Sequence, residues 1–432
     1  MSPPVSPVVS TEALPASADV VVIGGGIIGV SAAWHLARAG VSVALCEKGV
    51  IAGEQSSRNW GYCRQQGRDP GEIPLIIESM RQWREMHQAL GEDVGFRQTG
   101  VHYAAANEAG MKRFEDFMPH ARAHGLDTRL LSASEINAAL PSPTRTWAGG
   151  LITPSDGRAE PALAAPAIAR AAMRAGASVL TGCAVRGLER TGGKISAVVT
   201  ERGSIRTSAV LLSGGAWSSL FARSLGVRLP QLTVRSTVMR THGGPELTEG
   251  GLWTPKFAIR KRLDGGYTIA HGGMSTADIT LDSFRFFTDF LPILKDEWKT
   301  IRLRIGRKFL DSLSQRGHWA LDEPTAFEAM RVLDPTPHAS TLAWAWNDLV
   351  KSYPAFAGVR IAERWAGYID TTPDAVPVID EAAGVPGFFI ASGFSGHGFG
   401  IGPGAGRLAA ELIRSETPCV DPAPFRLRRL AR

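Results

Sequence analysis

The stretch that decides the fold is Asp19-Val-Val-Val-Ile-Gly-Gly-Gly-Ile-Ile-Gly29. Its β-branched run 20–23 reads as a buried strand, and the alanine-rich residues 30–39 that follow read as a helix ended by Gly40. Val41-Ser-Val-Ala-Leu-Cys-Glu47 reads as a second buried strand. Strand, helix and strand thus fall within about 30 residues, as a βαβ unit requires. Gly24-x-Gly26-x-x-Gly29 has the spacing of a dinucleotide fingerprint. The first glycine permits the tight turn, the second lets a pyrophosphate approach the backbone, and the third lets helix and strand pack closely. Ile27 and Ile28 open the helix, whose free N–H groups suit phosphate. Glu47 stands 18 residues beyond Gly29, near the spacing of about 20 at which a carboxylate accepts from a ribose 2′-hydroxyl. Lys48 beside it is a further candidate contact. The motif alone serves NAD or FAD. No second GxGxxG follows a later strand, so one dinucleotide is expected.

Composition narrows the class. Of 432 residues 48 are glycine, about 11% against a usual value near 7%, with no collagen period or linker tract to use them. Backbone approach to a ligand is the expected use. Cys46, Cys63, Cys183 and Cys419 lie too far apart for a disulfide framework or a paired-CxxC zinc module, and no metal-ligand spacing occurs, so no metal is expected. The net charge of +6 owes four positives to Arg426, Arg428, Arg429 and Arg432. Residues 421–432 read as a solvated basic tail, and nucleic acid is not an expected partner. Residues 1–18 have neither a basic n-region nor an apolar h-region, and no apolar run of about 18 residues follows. The expectation is a disordered leader, no transmembrane segment and a cytoplasmic enzyme.

The polar, glycine-containing Gly53-Glu-Gln-Ser-Ser-Arg-Asn-Trp-Gly-Tyr-Cys-Arg-Gln-Gln-Gly-Arg68 is too particular for a linker and reads as a binding loop. Helices are expected at 72–90 and 108–124, a hairpin at 195–200 and 204–209, and a closing helix at 407–414. Residues 283–313 mix Phe284, Phe286, Phe287 and Trp298 with Lys295, Lys299 and arginines. They read as a helical subdomain, or as a membrane-surface or homodimer-interface helix.

Four motifs in order, 20–29, Leu211-Leu-Ser-Gly-Gly-Ala-Trp217, Trp365-Ala-Gly-Tyr-Ile-Asp-Thr-Thr-Pro-Asp374 and Gly393-Phe-Ser-Gly-His-Gly-Phe399, together resemble the D-amino-acid oxidase, sarcosine oxidase and glycine oxidase superfamily. The loop 53–69 and Thr153-Pro-Ser-Asp-Gly-Arg-Ala-Glu-Pro-Ala-Leu-Ala-Ala-Pro166 look most like its bacterial-type L-amino-acid oxidases. The resemblance implies an α/β plus α+β architecture: a Rossmann-like FAD-binding domain from 19–90, 150–225 and 362–420, and a mixed-sheet substrate domain from 91–149 and 226–361. It implies that Gly24, Gly26, Gly29 and Glu47 hold the ADP half, with Val185 beside the adenine and Gly214 and Gly215 near the pyrophosphate. Gly393, Gly396, His397 and Gly398 would meet the flavin end, with Ser56, Ser57 and Arg58 as further contacts. Two positions depart. Gly367 stands where sarcosine-oxidase-like members carry a tethering cysteine, so FAD is expected to be non-covalent. Gly400 stands where they carry a lysine that activates oxygen.

Oxidation of an amino acid on a flavin needs the Cα–H near the ring, the carboxylate clamped and the amine neutral. Arginine suits the clamp. Arg64 is the first candidate, because its place in the loop resembles the flavin-facing arginine segment of the sarcosine oxidases, with Arg68 and Arg260 behind it. Trp365 and Tyr368 are candidate pocket walls, and His397 a candidate to polarise the flavin. The expected function is FAD-dependent oxidative deamination of a free α-amino acid, L favoured, to the 2-oxo acid with ammonia and hydrogen peroxide. The alternatives are a D-amino-acid or secondary-amine oxidase, a dehydrogenase using a quinone in place of oxygen, and a non-catalytic FAD-binding subunit.

Overall fold

A computed structural model describes residues 3–297, 300–315 and 317–431. The first motif forms β1 (Val20–Ile23), α1 (Ile27–Arg38) and β2 (Val43–Cys46), and every residue of both strands is buried. Around β1 a six-stranded sheet runs in the order 378–381, 388–392, 209–212, β1, β2, 178–180. All its pairings are parallel except the edge pair Val378–Glu381 with Phe388–Ser392. Helix α1 packs on one face with Pro161–Arg174 and Gly398–Ile413, and a three-stranded antiparallel sheet (Val185–Thr191, Lys194–Thr200, Gly203–Arg206) shares the core on the other. Helices and sheet on opposite faces leave the strands no polar side, which is why they read as unbroken apolar runs.

The second layer is a ten-stranded mixed sheet among the described residues. Its centre is Leu232–Thr241, which pairs antiparallel along its whole length with Ile361–Thr371. That strand, assigned from position 362 to the nucleotide domain by sequence, belongs to the mixed sheet, as does Gly149–Thr153. Both are crossing strands, and a boundary drawn by motif cannot see which sheet supplies the hydrogen bonds.

Four other expectations are corrected. The leader is not disordered from residue 3 onward: Thr11 donates its N–H to Val179 O at 2.7 Å and Ser6 to Ala162 O at 3.0 Å, and Ser17 bridges to Arg206. It satisfies the exposed edge of the sheet at Ser178–Leu180. The tail 421–432 is docked rather than solvated: Arg429 pairs with Asp374 at 2.8 Å, Arg426 with Asp380 at 3.6 Å, and Leu430 is buried; Arg432 lies outside the described residues. The region 283–313 contains a strand, Ile301–Arg304, parallel to Ser275–Asp278, between its helices; Trp298 and Lys299 lie outside the described residues. Finally, the closing helix begins at Gly398, inside the glycine run. A Cβ at Gly402 would press on Ile27, and one at Gly406 on Ser31, so these glycines bring helices together instead of backbone to nucleotide.

Candidate functional site

Two depressions meet at the loop after β2. The first is a groove at the carboxyl ends of the parallel strands, where ligands of open α/β sheets bind. It is lined by Gly24, Gly26, Glu47, Lys48, Ser56, Val185, Gly214 and Gly215. Gly24 has φ of +107°, and any side chain there would strike Ser213 O. At Gly29 a Cβ would strike Gly24 O, which forces α1 close to its strand. The Glu47 carboxylate accepts the N–H of Gly25 and that of Gly49, each at 2.7 Å. Burial raises its pKa and these two amides oppose the rise. Ser56 Oγ accepts the Ile27 N–H at 2.9 Å at the helix N-terminus. Lys48 is already engaged: its ammonium meets Glu54 at 2.7 Å and two carbonyls, those of Met330 and Arg331, and it stands over the Trp217 ring at 4.8 Å.

The second depression, about 310 Å³, is floored by the mixed sheet and walled by loop 55–68. Gln55 lines both depressions, and its Oε1 is buried without a hydrogen-bond partner. The loop is pinned from below. Asp156, fully buried, accepts Gln65 N–H at 2.7 Å, and burial raises its pKa to about 7. Gln66 donates to Val101 O at 3.0 Å and accepts from Thr153 Oγ1 at 3.1 Å. This presents Arg64, whose guanidinium lies 5.7 Å from the Tyr103 ring centre, and Arg68 to the cavity. The remaining wall is aromatic: Trp60, Tyr62, Trp253 and Phe399, with Tyr103 and Trp253 centred 5.0 Å apart.

Behind the cavity is a buried charge cluster. Glu72, with no solvent exposure, sits 3.0 Å from His397 Nδ1 and 3.9 Å from Arg68 Nη1. Burial raises the Glu72 pKa, but His397 and then Arg68 outweigh it and hold the carboxyl below its usual range. Burial lowers the His397 pKa against the pull of Glu72, and lowers that of Arg68 to about 10. A carboxylate only accepts, so a neutral His397 carries its proton on Nδ1.

Comparison with known proteins decides the family. The model for FAD dependent oxidoreductases (DAO) matches residues 19–412. The chain belongs to this FAD-dependent oxidoreductase family. It is 26% identical to mitochondrial sarcosine dehydrogenase of Mus musculus over 97% of this chain, and spans only 42% of that protein. With sarcosine oxidase subunit beta of Rhizobium meliloti it shares 26% identity, covering 96% of this chain and 88% of the other. The structure of L-amino acid deaminase from Proteus myxofaciens in complex with anthranilate superposes with a TM-score of 0.95 at 34% identity, covering 99% of this chain and 97% of that one.

The groove suits FAD by its own chemistry: a glycine cradle at a helix N-terminus for the pyrophosphate and a carboxylate placed for a ribose. In this oxidoreductase Gly24, Gly26, Glu47, Ser56, Val185, Gly214 and Gly215 are together in the groove, while Gly396 and His397 line the second cavity with Arg64 and Arg68. Several candidates stand elsewhere. The side chains of Ile27 and Ile28 are buried in the core, and only their backbone is at the helix start. Ser57 turns away, its hydroxyl on Glu54 O. Arg58 reaches the cavity wall with its charge spent on Asp334 and on the carbonyls of Ala366 and Gly53. Gly393 and Gly398 shape the turn against Thr372 and Phe394 without lining the cavity. Arg260 is no clamp: it is 1% exposed, paired with Glu160 at 2.8 Å and bonded to Trp60 O. Trp365 packs against Val238 and Ala270 with its Nε1–H on Arg58 O, outside the cavity. Tyr368 faces the nucleotide groove, with its hydroxyl on Asp278 at 3.0 Å.

Residues missed from sequence include Gln55, Trp60, Tyr103, Trp253, Glu72 and His271. His271 Nδ1 accepts the N–H groups of Gly273 and Met274 at 3.2 and 3.1 Å. Its signal was a histidine ending a strand before Gly-Gly. Among the described residues no group of His, Cys, Asp or Glu is placed to hold a metal, and no helix is long and apolar enough to cross a membrane.

Proposed function

We propose that the chain oxidises the α-amino group of a free L-amino acid with a large apolar or aromatic side chain, giving an imino acid that hydrolyses to the 2-oxo acid and ammonia. The observation that carries this is the cavity that joins Arg64 and Arg68 to an aromatic wall and to the Gly396–His397 turn. Bound FAD, held non-covalently, supplies the acceptor for two electrons and the Cα hydrogen. Arg64 and Arg68 draw the substrate carboxylate, with a planar fork for its two oxygens. Their charge also disfavours a third cation beside them, so a bound ammonium gives up its proton more readily. His271, which lines the cavity, cannot take that proton through Nδ1, which already accepts two amides; its neutral ring carries its proton on Nε2. Tyr103, Trp253 and Trp60 exclude water and provide the surface for an apolar side chain. The names of the Proteus neighbour and its ligand, an aromatic carboxylate, agree with this reading.

Oxygen, reduced to hydrogen peroxide, is the acceptor we favour. A quinone is the second reading, for two reasons. Gly400 is closed in by Tyr62 O, Arg68 and Cys63, so no cationic side chain extends from this position. Phe284 and Ile305, 65% and 76% exposed beside Arg285 and Arg304, would suit a membrane surface. Peroxide released in step with 2-oxo acid would establish the oxidase. Turnover only with an artificial acceptor would establish the dehydrogenase, and no turnover of any amine with either acceptor would refute both.

A further inference from the structure

Glu72 ends the turn Pro70–Glu72 and precedes the helix Ile73–Leu90, and His397 precedes the helix Gly398–Ile413. These helices pack side by side, with Gly404 against Leu75 and Ser79 and with Gly400 O accepting from Ser79 Oγ and Trp83 Nε1. The two helix starts are thereby brought together. A fully buried carboxylate loses its hydration, and only an opposite charge and hydrogen bonds to both oxygens offset that loss. Here one oxygen meets His397, and the other, Oε1, has no hydrogen-bond partner; nor has Arg68 Nη1, 3.9 Å from the carboxylate. A pure structural staple would satisfy both. The charged groups facing His397 are Glu72 from the turn and Arg68 and Arg64 from the loop; Arg68 Nη2 also lies 3.5 Å from His397 O. Without Glu72 the cavity would hold two guanidinium groups beside the imidazole and no opposing charge.

We propose that Glu72 is a positioning residue for the cofactor-facing histidine: its carboxylate fixes the proton of His397 on Nδ1, leaves Nε2 as the nitrogen turned to the cavity, and permits that nitrogen to be protonated despite Arg64 and Arg68. The charge at this end of the site is then set by a residue that touches neither substrate nor cofactor. Removing the carboxylate leaves the ring free to take the other tautomer and harder to charge. The inference rests on the assignment of the second cavity to the flavin ring, and its test uses no substrate, so it stands or falls apart from the choice of amino acid.

The test is nitrogen NMR of the FAD-loaded protein with labelled histidine, with the His397 signal assigned by its loss in His397→Gln. In the unaltered protein the neutral His397 ring should carry its proton on Nδ1. In Glu72→Gln the His397 titration should move down by about 1–3 pH units, the effect of losing one adjacent opposite charge, and Glu72→Asp should recover part of it. A flavin absorbance step should move with it. A neutral ring protonated on Nε2 in the unaltered protein would overturn the proposal with no variant needed. A titration that stays in place in a folded, yellow Glu72→Gln would overturn it equally.

Discussion

Glu47 Oε2 accepts the Gly25 N–H at 2.7 Å, so the acidic end of the second strand is tied to the glycine turn at the end of the first. The same carboxylate binds Gly49 N–H through its other oxygen. Fixed this way, it keeps lone pairs for ribose hydroxyls and loses little entropy in using them.

Glu47→Gln is therefore expected to weaken FAD retention about 10- to 100-fold, the usual worth of hydrogen bonds to a charged acceptor. Titration of the apoprotein with FAD, followed by flavin fluorescence, measures it. An unchanged dissociation constant would remove Glu47 from the ribose site.

Arg64 reaches the cavity with its guanidinium bonded to the carbonyls of Gln66 and Gly67 and, among the described residues, in no ion pair with a carboxylate. Arg64→Ala should raise KM for amino acids roughly 10- to 100-fold while the flavin spectrum stays the same. Arg64→Lys should recover only part, because an ammonium has no planar fork.

At Gly400 a Cβ would lie 3.1 Å from Tyr62 O, 3.2 Å from Arg68 Nη2 and 3.3 Å from Cys63 Cα. Gly400→Ala is expected to destabilise the protein by about 1–3 kcal/mol through overpacking, read as a fall in Tm. Gly358, with open space around it, is the control: Gly358→Ala should leave Tm nearly unchanged.

His35 gives a pH dependence. Burial lowers its pKa to about 4, with Gln82 3.0 Å away as its partner. Between pH 4 and about 6.5 the unfolded chain binds a proton there that the folded chain does not. Stability from this site is complete above about pH 6.5 and is lost as pH falls toward 4, by about 3 kcal/mol. Urea midpoints measured at pH 7 and pH 4.5 should differ less in His35→Gln than in the unaltered protein.

The nucleotide half was legible because its signals are local: a glycine turn, a helix start and an acidic strand end lie within residues 19–47. The loop that carries Arg64 was legible as a polar stretch between regular elements, and the choice of Arg64 within it came from the resemblance to sarcosine oxidases. The rest depends on partners far along the chain. Arg260 looked available as a clamp, yet Glu160, a hundred residues away in sequence, takes its charge. Which cavity Tyr368 faces follows from the pairing of Ile361–Thr371 with Leu232–Thr241, and in a strand one residue changes the face. Glu72 read only as a helix start, because nothing near it in sequence indicates that His397 lies 325 residues on and 3.0 Å away.

If this cavity oxidises L-amino acids on a bound flavin, those amino acids alone should reduce it. The most direct test is to mix the purified, FAD-loaded protein without oxygen with each enantiomer of phenylalanine and leucine, and with sarcosine, following flavin absorbance. The L-amino acids should bleach the flavin, and their D-enantiomers and sarcosine should not. Bleaching by D-amino acids or sarcosine in preference to the L-forms, or by none of them, would contradict L-amino-acid oxidation.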